Sequence, residues 1–223
     1  MANYWLMKAE PGSRIVKGKD VKFSIDDFEE ARTTAWEGVR NHQAKNYMKS
    51  MYVGDKVLFY HSNCKEPGIA GFAHVVKEAY PDYTAWDHEH PYYDQKTDKD
   101  KPTWFMVDLA FDTRCMHFVP LALLRGIAAG NESVDYLSEE DAKAVKEMEL
   151  VGRGRLSVQR VEEDAYEAIR RLAEKGGWDV EKPKAKGKSK KADEGDEPKS
   201  GGRKRKAEGG QEGTRRSART KRE

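Results

Sequence analysis

Cysteine is scarce. Only Cys64 and Cys115 occur among 223 residues, too few for a disulfide framework, and a reducing compartment is the simplest reading. No apolar run approaches the ~20 residues needed to cross a bilayer. The opening stretch MANYWLMKAEPG lacks a basic region followed by an apolar core, so no secretory signal is expected. No phosphate-binding loop, serine-nucleophile turn, H-E-x-x-H or paired C-x-x-C is present. Gly152-x-Gly154 lies between an expected helix and an expected strand, the wrong order for a dinucleotide site. His88-x-His90, with Asp87, Glu89 and Asp94 around it, sits in a loop whose His and Asp residues read as solvated, so no metal and no cofactor is expected. His61 and Ser62 cannot form a relay as neighbours, because successive strand residues face opposite ways.

Aromatic residues are absent beyond Val180, and there Ala is the only hydrophobic residue type left. Such a segment cannot bury enough surface to offset its ordering entropy, so a disordered tail over 176–223 is expected. Residues 181–223 hold 16 Lys and Arg against 8 Asp and Glu, a net of +8; the whole chain is +2, so residues 1–180 carry −6. The tail is thus a separate electrostatic element on a mildly acidic domain. Its cluster Arg203-Lys204-Arg205-Lys206 reads as a nuclear import signal, with an import receptor as its partner.

What the remainder holds is one domain, 1–175. Tyr4 to Met7 reads as a strand that Pro11-Gly12 closes, with Lys8 and Glu10 on one side, either a solvated pair or the rim of a pocket. Ser24 with Asp27 announces a helix over Ile25 to Ala31. Strands are predicted at 57–60, 68–76, 103–111 and 155–161, with a bulge or close backbone approach at Gly71. Helices are predicted with Pro120 as the first residue of one, after Ser138, and along Tyr166, Ile169 and Leu172 as far as Gly176-Gly177. Strands dispersed among short helices argue an α+β fold, a small closed or half-closed β-barrel flanked by helices.

The chain centres on Ala35 to Asn63. Trp36 lies in a loop beside Gly38 and Val39, and Asn41 caps a helix with Ala44, Tyr47, Met48 and Met51 on its apolar face. A strand over Val57 to Tyr60 then ends in His61, Ser62 and Asn63. Aromatic loop, helix start and polar strand mouth together suit a flat, polar, partly anionic ligand. Trp36 and Trp86 are candidate stacking faces for a base, Trp36 being equally readable as a core residue. Asn41, Ser62 and Asn63 are candidates for the base edge, and Arg40 with the helix start for a phosphate.

Several stretches resemble the EVE domain family: Trp5 to Pro11, Trp36 to Asn41, Phe59 to Asn63, Gly68 to Gly71, Lys77 to Asp82, Tyr93-Asp94, Met106 to Asp108 and Gly154 to Val158. The resemblance spans about residues 3 to 173. It implies a PUA-like mixed barrel and a non-enzymatic reader of modified bases, with 5-methylcytosine or 5-hydroxymethylcytosine in DNA held as a flipped base. Trp36, Arg40, Asn41, Tyr60, His61 and Ser62 occupy its motif positions and, with Asn63 and Trp86, are the expected base-binding residues, while Lys8, Glu10 and Val39 are expected at the pocket rim. An RNA-binding or RNA-processing module and a hydrolase of modified nucleotides using Lys8, Glu10 or His61 are the alternatives. A nuclear monomer without membrane contact is the overall expectation.

Overall fold

A computed structural model describes residues 2–152 and 154–178. Of the tail expected to be disordered, residues 179–223, with the candidates Arg203, Lys204, Arg205 and Lys206, lie outside them.

Among the described residues, eight strands and six helices follow one another: β1 (Tyr4–Ala9), β2 (Ile15–Val16), β3 (Lys19–Asp20), α1 (Ile25–Ala31), β4 (Thr33–Ala35), α2 (His42–Met48), β5 (Lys56–His61), β6 (Gly68–Pro81), a 3-10 turn (Tyr83–Trp86), β7 (Phe105–Pro120), α3 (Leu121–Ala128), α4 (Glu139–Glu147), α5 (Glu149–Gly152), β8 (Val158–Val161) and α6 (Glu163–Lys175). Six strands form one mixed sheet in the order β4-β7-β6-β5-β1-β8, and β2 and β3 form a separate hairpin. The pair β1–β5 is parallel and the others are antiparallel.

The sheet is not a closed barrel, which corrects one of the two shapes expected. Its edges β4 and β8 do not pair with each other. Helix α2 packs against both β7 and β8 instead, so a helix occupies the side where a barrel would have its closing ladder. Each face carries its own core. Trp5, Met7, Val57 and Phe59 belong to one cluster with Phe28 of α1 and Ala44 and Met48 of α2. Leu6, Leu58 and Tyr60 belong to the other, under α3, α4 and α6. Strands covered on both faces read as near-continuous apolar runs, as β5 does.

The local punctuation works as the sequence announces. Ser24 and Ser138 both close capping boxes, with Asp27 and Asp141. Gly71 stands at a register shift between β6 and β7, and an added Cβ there would fall 2.8 Å from the Thr113 carbonyl oxygen. Gly176, at φ +61°, ends α6 and its N–H returns to Leu172. Trp178 still packs on the second core, so the fold runs past the expected boundary at 175. Three differences have clear causes. Pro120 is the cap rather than the first residue of α3. Strands β6 and β7 run longer than their apolar stretches, because the ladder continues through exposed polar residues such as Thr113 and Arg114. The β2–β3 hairpin is absent from the expectation; its signal is the two-residue turn Lys17-Gly18, both at positive φ, as such hairpins require.

Candidate functional site

The stretch from Trp36 to Asn41 leaves the end of β4 as a loop. The Trp36 N–H donates to the Val107 carbonyl at 2.7 Å, which carries the loop along β7. Gly38 follows with φ +77°, a conformation that favours glycine, and an added Cβ would lie 2.7 Å from Cε2 of Tyr92. The loop is held from below by Asp82, which has no solvent exposure. Its carboxylate accepts from Gly38 N at 2.9 Å, Arg40 Nη1 at 2.7 Å, and Thr84 N and Oγ1 at 3.0 and 2.5 Å. Burial alone pushes the Asp82 pKa up, but the donors from Thr84, Arg40 and Gly38 outweigh it and hold it below the usual carboxylate range. Nothing near Asp82 in sequence signals its role, because the loop residues it holds, Gly38 and Arg40, are 44 and 42 residues away.

Beside this loop opens a hollow of about 710 Å³, within the ~300–1,000 Å³ typical of ligand sites. Trp36, Val39, Arg40, Asn41, Ser62, Lys8 and Glu10 all line it, as do Phe23, Tyr92, Arg155 and the roots of the β2–β3 hairpin. Trp36 is only 8% exposed and meets Phe23 and Phe59 edge-on at 6.3 and 5.9 Å between centroids. It is therefore a core residue and a wall of the hollow at once, and the more open rings are Phe23 and Tyr92.

Six cations line the hollow, namely Lys8, Arg14, Lys19, Lys22, Arg40 and Arg155, against the carboxylates Glu10, Asp20 and Glu37. Arg14, Lys22 and Arg40 are paired with Glu10, Asp27 and Asp82. Lys8, Lys19 and Arg155 have no carboxylate partner among the described residues. Lys8 donates to the Gly154 carbonyl at 2.7 Å, and burial lowers its pKa to about 8. An acidic domain thus presents a locally cationic cavity, which attracts an anionic ligand.

Several expected site residues do other work. Tyr60 faces the second core, 3% exposed, because it alternates with Phe59 along β5. His61 also lies outside the hollow; its Nε2 accepts the Ile25 N–H at 3.0 Å and so supports the start of α1. Asn63, at φ +52°, makes the turn after β5 and reaches Glu10 at 3.3 Å. Trp86 is carried outside the lining by the 3-10 turn, and Tyr92 stands at the rim instead. The phosphate expected at Arg40 and the helix start is displaced by protein. Arg40 already donates to Tyr92 O, Val39 O, Asp82 and Thr84, and Asn41 Oδ1 accepts from Gln43 N and Ala44 N at 2.9 and 3.0 Å. Ser62 lines the hollow while its hydroxyl donates to Ala9 O at 3.0 Å. His88 and His90 turn to different partners, Tyr93 and Glu37. Arg155, Phe23, Tyr92 and the hairpin come from segments far apart in sequence; the hairpin has a local signal and Arg155 stands in the family stretch Gly154 to Val158, but neither signal points to this hollow.

An open mixed sheet with helices on both faces, carrying an aromatic and cationic hollow beside the Trp36 loop, defines the class. The chain belongs to the EVE domain family, whose model matches residues 3–172. It is 43% identical to human thymocyte nuclear protein 1 over 177 residues, covering 78% of this chain and 76% of that one. The zebrafish (Danio rerio) protein of the same name is 46% identical over 169 residues, covering 74% and 69%. Among solved structures, the human protein in complex with 5-methylcytosine-containing DNA superposes with a TM-score of 0.72 at 43% identity, covering 79% of this chain and all of that one.

Proposed function

We propose that this protein is a non-enzymatic reader of modified cytosine in DNA, 5-methylcytosine or 5-hydroxymethylcytosine, which it holds as a flipped base in the hollow beside Trp36. The observation that carries the reading is the coincidence of aromatic wall and unpaired cations in one cavity of nucleotide size. The 5-methylcytosine-containing DNA bound by its human relative supports it. Extruding a base costs a few kcal/mol, which the pocket must return. Stacking contributes roughly 1–3 kcal/mol per base. Trp36, Phe23 and Tyr92 supply aromatic surface for that, and Asn41, Ser62 and nearby backbone groups are placed for the base edge. Lys8 and Lys19 balance the phosphate charge. Residues 1–175, continued to Trp178, are the reading domain. The basic tail beyond Trp178, with Arg203 to Lys206, directs nuclear import and adds sequence-independent DNA affinity, in keeping with relatives named as nuclear proteins.

The test compares duplexes that differ only in methylation of one cytosine, at stated salt. Tyr92→Ala spares the core, and Trp36→Phe keeps an aromatic ring in it. Both are expected to reduce the preference for the modified duplex several-fold while leaving binding to the unmodified duplex nearly unchanged. A folded Tyr92→Ala/Trp36→Phe protein with undiminished preference would place recognition elsewhere. The same panel with ribose sugars decides between DNA and RNA.

A further inference from the structure

A second depression, of about 500 Å³, adjoins the first. Asn41, Gly154 and Arg155 line both, so the two share a wall. Its far side carries Gln43, on the first turn of α2, and Glu149, at the start of α5. These two are held by one tyrosine. The Tyr47 hydroxyl donates to Glu149 Oε1 at 2.9 Å and accepts from Gln43 Nε2 at 3.3 Å. The chain of bonds fixes both side chains and spends one oxygen of Glu149. Both side chains line the groove, and among the described residues no hydrogen bond is made to Glu149 Oε2 or Gln43 Oε1. Arg155 stands on the shared wall, exposed and without a hydrogen-bond or ion-pair partner among the described residues.

We propose that this groove is a subsite for the nucleotide next to the flipped base, and that it reads an exocyclic amine on that neighbour. A strand entering the hollow has to bring its adjacent nucleotide out along a neighbouring surface, and a phosphate lies between the two bases. Arg155 is placed between the two depressions, where it meets that phosphate. A carboxylate and an amide lining the groove can accept from an amino group on a base edge, as carboxylates do from the cytosine amine. Cytosine, adenine and guanine carry such an amine, and thymine does not. Thymine would leave the two acceptors desolvated and unpaired, which is the basis of the discrimination. The subsite rests on the reading of the main hollow as a base pocket.

The experiment uses the full chain and a set of duplexes with one 5-methylcytosine and each of the four bases in turn on either side of it, together with their unmethylated counterparts. The wild-type protein is expected to bind thymine-flanked duplexes about fivefold or more weakly on one side only. Glu149→Gln, which puts an amide where an acceptor stood, and Gln43→Ala, at an exposed position, are expected to flatten that difference while keeping the preference for methylation. A wild-type protein that prefers methylation but ignores both flanks overturns the subsite alone. So do variants that keep the flank preference unchanged. A wild-type protein with no preference for methylation overturns the reading of the hollow, and the subsite with it.

Discussion

Replacing Asp82 with alanine tests how the Trp36 loop is held. The carboxylate is fully buried, and it accepts from Gly38, Arg40 and Thr84. Removing one partner of a buried ion pair typically costs ~3–5 kcal/mol, because the other charge is left without compensation. The Arg40 side chain keeps 19% of its exposure, so water relieves part of the loss and the lower end applies, ~3 kcal/mol. For a domain of this size that lowers Tm by ~6–12 °C. Equilibrium urea unfolding followed by tryptophan fluorescence measures it. Asp82→Ala combined with Arg40→Met removes the stranded charge together with its partner, and the pair is expected to lose clearly less than the sum of the single changes. An Asp82→Ala protein that loses under ~1 kcal/mol, or a double variant that is simply additive, would refute the view of this pair as the loop's anchor.

Other outcomes follow from the same geometry. Gly38→Ala combines a positive φ with a clash against Tyr92, and is expected to destabilise by ~1–3 kcal/mol and to weaken binding of modified DNA, read by melting and titration. Burial pushes the His61 pKa below its usual value, with Asp26 partly opposing, and Nε2 must stay unprotonated to accept from Ile25. The unfolded chain then takes up that proton first, so the His61 contribution is complete above about pH 6.5 and is lost as pH falls from there through the lowered folded-state pKa. Urea midpoints between pH 7.5 and 5 should fall less in His61→Asn than in wild type. Lys8 has a pKa of about 8, so affinity for DNA should decline as pH rises through that value, and Lys8→Met should remove this part of the dependence. Deleting residues 181–223 should leave the domain's melting temperature unchanged, abolish nuclear accumulation and make the fall of affinity with salt shallower; equal nuclear retention would exclude the import role.

Signals confined to one turn of chain were readable directly. Ser24 with Asp27, Ser138 with Asp141, Asn41 as a cap and Gly71 as a point of close approach all depend on neighbours within a few residues or on the absence of a Cβ. The family motifs led to Trp36, Asn41, Ser62 and Lys8, and the structure gathers these four around one hollow. The motifs did not separate residues that face the hollow from residues that hold its frame. Tyr60 and His61 stand in the same short motif as Ser62, yet alternation along β5 sends Tyr60 to the opposite core, and His61 turns to α1. Arg40 resembles a phosphate ligand in sequence because its partner Asp82 is 42 residues distant. Trp86 and Tyr92 are both aromatics of one irregular loop, and only the fold decides which of them reaches the rim.

The pairing of β1 has a consequence for how the chain is made. Tyr4 to Met7 are flanked on one side by β5 and on the other by Val158 to Val161, the last strand among the described residues. A nascent chain therefore carries its first strand with one edge bare until nearly the whole domain has been synthesised. Contacts so remote in sequence slow folding, and a bare strand edge invites pairing with other chains. Translation halted before Val158 should yield a product that needs chaperones and precipitates without them.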